Sequence, residues 1–289
     1  MTIYGLGIIA AFGALIFWGV GDFLIQRSVR RLGDWEPLFI ISLFGSIIIT
    51  PFVWHDLQII TTSGNFILLI TVAVTFLCAS LLEFQGYKIG KLAVIEPIQV
   101  LEIPISAFLA FFLLYERPTS MVILLVLILI FGLVLISVKR HHFLKKSWLE
   151  KGIIFAIAAS FFMGITNFLV AYSSRLTNPL IAIWFFNIFI TLTTFIYLTA
   201  MGKIHNLFKD FTSNPKLMTA VCVFDNLAWI SFAFASSVVP VITALAISES
   251  YIVLASILGI FYNNERLARY QIAGLFIVIP NAIILAIIA

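Results

Sequence analysis

Charged residues make up only 10% of this 289-residue chain, against about 25% in ordinary soluble domains. That shortage excludes a surface built for water. Cysteine is rarer still. The two present, Cys78 and Cys222, lie within apolar runs, with no Cys-x-x-Cys and no histidine at ligand spacing. A disulfide framework and a zinc site are therefore not indicated, and both read as small core residues. No His-Glu-x-x-His, Gly-x-Ser-x-Gly or phosphate-cradling glycine loop occurs, so an intramembrane enzyme or direct nucleotide drive finds no support, and no cofactor is expected. What the chain has in quantity is apolar: 62% of residues are hydrophobic and 29 are Phe. This is the composition of an all-α polytopic membrane protein. The formal net charge of +4 does not point to nucleic acid, because the basic residues sit in short clusters between apolar runs.

A bilayer core of about 30 Å needs about 20 helical residues. That ruler predicts ten spans, near 5–26, 36–54, 66–87, 92–114, 119–138, 152–172, 179–200, 217–237, 241–262 and 269–288. The first run has no basic residue before it and is long enough to cross, so it is expected to remain as a helix rather than act as a cleaved leader. Short connections such as Glu116-Arg117-Pro118 imply antiparallel neighbours, and Pro118 suits a helix start. Loops 1, 3, 5, 7 and 9 hold 15 of the 17 basic residues, leaving only Arg117 and Arg175 for the even loops. The odd loops are therefore expected in the cytoplasm of a cell with an inner membrane, and both termini outside. The run "KRHHFLKKSWLEK", 139–151, reads as a cytoplasmic linker between a first unit, 1–138, and a second, 152–289, with His141 and His142 as solvated loop residues.

The chain repeats itself. "WGVGDFL" (18–24) has a partner in "MGITNFL" (163–169), which matches Asp22 with Asn167. "LLYERPT" (113–119) has a partner in "FYNNERLA" (261–268), and "LAVIEP" (92–97) resembles "LAISES" (245–250) with a slip of one helical turn relative to the Glu-Arg pair. Two five-helix units in one chain must point opposite ways across the membrane, because five is odd. Such inverted repeats are common in secondary transporters, whose substrate site lies between the halves near the midplane.

These features, the Trp18-Gly19 pair early in the first span and the Glu-Arg pairs closing the fourth and ninth, resemble the drug/metabolite transporter superfamily in its EamA-type permease branch. The second half departs by having Met163 in place of Trp18, and the usual Leu-Gly-Glu-Arg is altered to Leu114-Tyr115-Glu116-Arg117 and Asn263-Asn264-Glu265-Arg266. The resemblance implies a carrier working by alternating access around a central cavity lined by spans 1, 3, 4, 6, 8 and 9, often an exporter of amino acids or other small metabolites.

Six of the thirteen acidic residues fall inside predicted spans, beyond their first residue: Asp22, Glu83, Glu96, Glu102, Asp225 and Glu249. An ionised carboxylate at a helix centre costs about 3 kcal/mol on insertion scales, so polar groups at that depth are expected to face the bundle interior or water. On an unbroken helix Gln99 and Glu102 stand about 60° and 120° from Glu96, within one third of the circumference. Glu102, Asp225 and Glu249 lie about 12–15 Å into their spans, near the midplane. Asp22, Glu83 and Glu96 lie about one turn from the basic boundary, within reach of Arg27, Lys88 or Lys91. Trp18 precedes Asp22 by one turn and Trp229 follows Asp225 by one, so each carboxylate has an indole on its own helix face. Trp54 and Trp184 read as interfacial anchors.

Charge and cation–π contact suit an amphipathic cation, and a buried carboxylate is also a candidate to carry a proton. The leading expectation is a secondary transporter of a small metabolite, an amino acid or amphipathic cation, coupled to protons and working as monomer or homodimer in the lipid bilayer. A flippase for lipid-linked groups is the alternative, and a membrane scaffold would not need six carboxylates at depth.

Overall fold

The structure is a computed structural model that describes residues 2–90, 95, 98–137, 152–252, 254 and 269–288. Among these no strand occurs, and helix accounts for most of them. The helices are α1 (Ile3–Leu32), α2 (Trp35–Val53), α3 (Ser63–Ile89), α4 (Glu102–Leu113), α5 (Ser120–Ser137), α6 (Ile153–Leu176), α7 (Pro179–Ala200), α8 (Ile204–Ser213), α9 (Pro215–Val238), α10 (Val241–Ser248) and α11 (Arg269–Ile288). A 3₁₀ stretch, Trp54–Thr61, follows α2. Among the described residues six helices, α1, α2, α3, α6, α7 and α9, are long and apolar enough to cross a membrane, and α4, α5 and α11 are shorter apolar helices packed with them. The short helix α8 has no counterpart among the ten predicted spans. The predicted linker 139–151 and His141 and His142 lie outside the described residues.

Local chemistry sets the helix ends. Thr2 caps α1 by accepting from the Gly5 amide at 3.2 Å, and Asn178 caps α7 by accepting from Leu180 at 2.9 Å, with Pro179 at the first helical position. Gly33, at φ +100°, lets the chain leave α1 in a backbone conformation that other residues rarely adopt.

Packing follows a two-fold pattern. The first helix of each half lies against the third of the other, α1 on α9 and α6 on α3; the second helices pair, α2 on α7; and the last helices pair, α5 on α11. The fourth helices also cross over, α10 onto α1 and α4 onto α6. Polar contacts gather the helix ends into two faces. On one, Arg31 donates to Asn214 at 2.7 Å, Lys88 pairs with Asp34 at 3.3 Å and Lys203 with Glu36 at 3.6 Å. On the other, Arg175 pairs with Glu116 at 2.8 Å, and Glu116 accepts from the Val241 amide at 2.9 Å. These faces lie at opposite ends of α1: Val238 and Val239 press on Gly7 near its start, whereas Arg31 is at its end.

The two halves are related residue by residue. Arg30 donates from Nε to the Tyr87 carbonyl and from Nη2 to that of Gly90, at 3.2 and 2.8 Å. Arg175 does the same to Ser236 and Val239, at 3.0 Å each. The arginines are offset by 145 (175 less 30), the register of the 18–24 and 163–169 match; their acceptors are offset by 149 (239 less 90). The offset of 149 also relates Glu116 to Glu265. The match of 92–97 to 245–250 is thereby corrected: it is displaced by one turn.

The fourth helices break where the sequence predicts continuity. At Val100-Leu101 and at Glu249-Ser250 the α pattern gives way to turns. The Leu101 amide reaches Ile98 at 3.0 Å and that of Ser250 reaches Ile247 at 3.2 Å, so both turns carry a bond three residues back. The positions match at the 149 offset. Two different causes act. Pro104 has no amide to return to Val100 and its ring crowds that carbonyl. In the second half Ser248 and Ser250 donate back to the Ala244 and Ala246 carbonyls, at 2.8 and 3.0 Å, a pattern that bends helices.

Candidate functional site

A cavity lies where the halves meet, with about 620 Å³ of atom-free space including its open part. Its floor and walls carry most of the residues singled out from sequence. Trp18 and Asp22 come from α1, Glu83 from α3, Glu102 from α4, Asn167 from α6, Asp225 and Trp229 from α9, and Glu249 from the break after α10. Gln99 lies directly behind the wall, and Glu96 lies outside the described residues. Serines and further aromatic residues complete it, with α2 contributing Ser42 and α7 contributing Asn187. The lining therefore extends to the second helix of each half, beyond the six spans that the family resemblance implies.

The break in the fourth helix sets the position of Glu102. It begins α4 and is 5% exposed, accepting a hydrogen bond from Asn167 Nδ2 at 3.0 Å. Helix α6 is held against this segment on both sides of the break: Ser160 donates to the Ile98 carbonyl at 3.1 Å, and Ser106 to that of Gly164 at 2.6 Å. Because the helix is interrupted between Gln99 and Glu102, the shared-face geometry of an unbroken helix does not hold. Glu102 enters the cavity, while Gln99 turns to a separate network. Gln99 donates to Glu83 and to the Tyr87 hydroxyl, the latter at 3.1 Å, and its amide oxygen accepts from Tyr251 at 3.0 Å; Tyr87 in turn donates to Glu83 at 3.0 Å. Through Gln99, α3 is tied to the fourth helix of both halves.

Glu83 is thus not an anchor for Lys88, which pairs with Asp34. Arg27 lies over the ring of Phe23, 4.1 Å from its centre. Trp184 donates to Thr50 at 2.8 Å and braces α7 against α2, while Trp54 is exposed. The five described carboxylates form one electrostatic cluster, Glu102 feeling Glu249, Glu83 and Asp22, and Asp225 feeling Glu83. Among the described residues, the lining holds no lysine, arginine or histidine. Rings cover the remaining wall. Trp18 and Trp229 meet edge to face at 5.2 Å, Phe76 lies 4.8 Å from Trp229, and Tyr251 6.3 Å from Trp18. Such a cavity accepts hydrogen bonds, attracts positive charge and presents π faces to it.

Tyr87, Tyr251 and Asn187 are the site residues that sequence reasoning missed. Tyr87 follows Glu83 by one helical turn, the same relation that picked out Trp18 with Asp22, and would have been found by it. Asn187 donates to Asn226 at 3.1 Å, and Asn226 donates to the Ile41 and Cys222 carbonyls at 3.2 and 2.9 Å, joining α7, α9 and α2.

Fold and site together define a multi-pass membrane protein of two inverted halves sharing a central acidic cavity. The chain belongs to the EamA-like transporter family, whose model matches residues 5–138 and again 150–287. No curated protein sequence matches it. A solved crystal structure of a protein is similar in fold, with TM-score 0.74 over 98% of this chain and 97% of the other at 11% identity.

Proposed function

We propose that this protein is a secondary active transporter, an exporter or exchanger of a small metabolite that carries an ammonium group, such as an amino acid or an amphipathic cation. It works by alternating access and is driven by protons. The observation that carries the reading is the placement of five carboxylates, with no basic side chain among the described lining, in one cavity between the two halves. Buried carboxylates are expensive unless protonated or paired with a cation. A cavity that exchanges protons for a cation meets that cost in both of its loaded states.

The contacts of Glu116, which cross from the first half to the second, hold one end together. Arg175 joins α6 to the end of α9, and Glu116 joins it to the start of α10, at one face. The lining runs the other way, from Trp18 through Asp22 to Ile25 on α1 and through Glu83 on α3. With the basic loops in the cytoplasm of a cell with an inner membrane, this is an inward-facing arrangement. Uptake into proteoliposomes of a panel of amino acids, sugars and cationic dyes, with and without an imposed pH gradient, tests the proposal. Gradient-dependent movement of an ammonium compound is the expected result, and accumulation of sugars alone would refute it.

A further inference from the structure

We infer that the cargo of this cavity is a linear aliphatic di- or polyamine, held by protonated nitrogens that donate hydrogen bonds. This rests on the transporter reading above and narrows it.

Two independent features lead there. The first is the cluster itself: Glu102 and Glu249 are 5% and 3% exposed, and Asp225 and Glu83 line the same cavity from α9 and α3. A single positive charge answers one of these groups. A chain with an ammonium at each end answers two, and its methylenes lie against Trp18 and Trp229, whose rings also attract the cationic ends. The second is Asn167. Its side chain is 1% exposed, its amide nitrogen is spent on Glu102, and its Oδ1, buried in the cavity wall, has no partner among the described residues. A buried acceptor left without a donor is costly. An N–H of an ammonium supplies that donor, and a quaternary or phosphonium cation has none to give.

The same lining disfavours amino acids. A zwitterion brings a carboxylate into a space already crowded with carboxylates, where only neutral hydroxyl, amide and indole donors are offered by the described wall.

The test is counterflow. Proteoliposomes holding the full chain are loaded with unlabelled spermidine, leucine or tetraphenylphosphonium, diluted into the same compound in labelled form, and then challenged with each of the others. Exchange of spermidine, blocked by putrescine and by neither leucine nor tetraphenylphosphonium, supports the inference. Exchange of leucine, or of tetraphenylphosphonium at a rate equal to or above that of spermidine, overturns it and leaves the transporter reading standing. If no compound exchanges, both fail. In a variant that elutes as a single species, Asn167→Ala should raise the spermidine concentration for half-maximal exchange by about tenfold or more; an unchanged value overturns the role given to its oxygen. Quenching of tryptophan fluorescence by spermidine in the wild-type protein provides the same comparison without a substitution.

Discussion

Arg30 and Arg175 occupy matching ends of α1 and α6, and each closes the C-terminus of the third helix in its own half, Arg30 on Gly90 at 2.8 Å and Arg175 on Val239 at 3.0 Å. A helix end leaves carbonyls without partners, and at a membrane boundary a guanidinium fork satisfies two of them while keeping its charge near water. Arg175 adds Glu116, which in turn holds the first amide of α10. Arg175→Ala should therefore lower stability by about 2 kcal/mol, read as a reduced midpoint of thermal unfolding in detergent. Arg175→Lys should recover little of it, because an ammonium cannot serve the Ser236 and Val239 carbonyls and Glu116 in the same geometry. Full recovery by lysine would show that charge alone matters there.

Gly19 and Gly164 are the glycines of the repeated motif, and each lets a first helix approach the fourth helix of the opposite half. A Cβ on Gly19 would lie 2.8 Å from Leu254, and one on Gly164 would lie 2.8 Å from Ile105 and 3.1 Å from the Glu102 carbonyl. Gly164→Val should cost about 1–3 kcal/mol by overpacking and should disturb Glu102 as well. Gly64, where an added Cβ would meet nothing within 4 Å, serves as the control: Gly64→Ala should change the unfolding midpoint little or raise it slightly. Equal effects at Gly164 and Gly64 would contradict the close approach.

The amide pair Asn187 and Asn226 joins three helices across the midline. Interhelical hydrogen bonds within membranes contribute about 0.6 kcal/mol on average and up to about 1.7, so Asn226→Leu should cost about 1 kcal/mol, with Asn187→Leu adding less in the double variant than alone. Strict additivity would mean that the two side chains do not act together.

Much of the architecture is legible in the sequence because a bilayer imposes a simple rule, a run of about 20 apolar residues for each crossing. The match of 18–24 with 163–169 has the correct register, since Gly19 and Gly164 make the same approach in both halves. The 92–97 match slips because a glutamate attracts the eye in two segments whose equivalent positions are not both acidic: the 149 offset relates Glu249 to Val100 and Glu102 to Tyr251. The breaks in the fourth helices were less visible. Pro104 is a readable cause for one, but the serine back-bonding of the other uses residues that are common in continuous helices. Asn187 and Tyr251 were passed over because an amide or phenol in an apolar run looks the same in sequence whether it braces helices or faces a cavity.

Orientation is open to a direct check. In a background with Cys78→Ala and Cys222→Ala, a single cysteine replacing Thr62 should react with a membrane-impermeant maleimide on intact cells, and one replacing Ser213 only after the cells are opened. These positions follow the 3₁₀ stretch and end α8, near the two opposite faces. The reverse pattern would invert the assignment of sides drawn from the basic loops without altering the fold.

The central claim is that the carboxylates between the halves carry the coupling, and Glu102 is the most direct place to test it. Glu102→Gln keeps the shape of the side chain, can still accept from Asn167, and is cheaper to bury than an ionised glutamate. The measurement is transport driven by a pH gradient in proteoliposomes, comparing wild type with Glu102→Gln and Glu249→Gln at matched protein content. Both variants are expected to insert and to elute as wild type does, and to lose gradient-driven movement by about a hundredfold or more. If both transport at the wild-type rate with an unchanged pH profile, the glutamates are structural and the account of coupling is wrong.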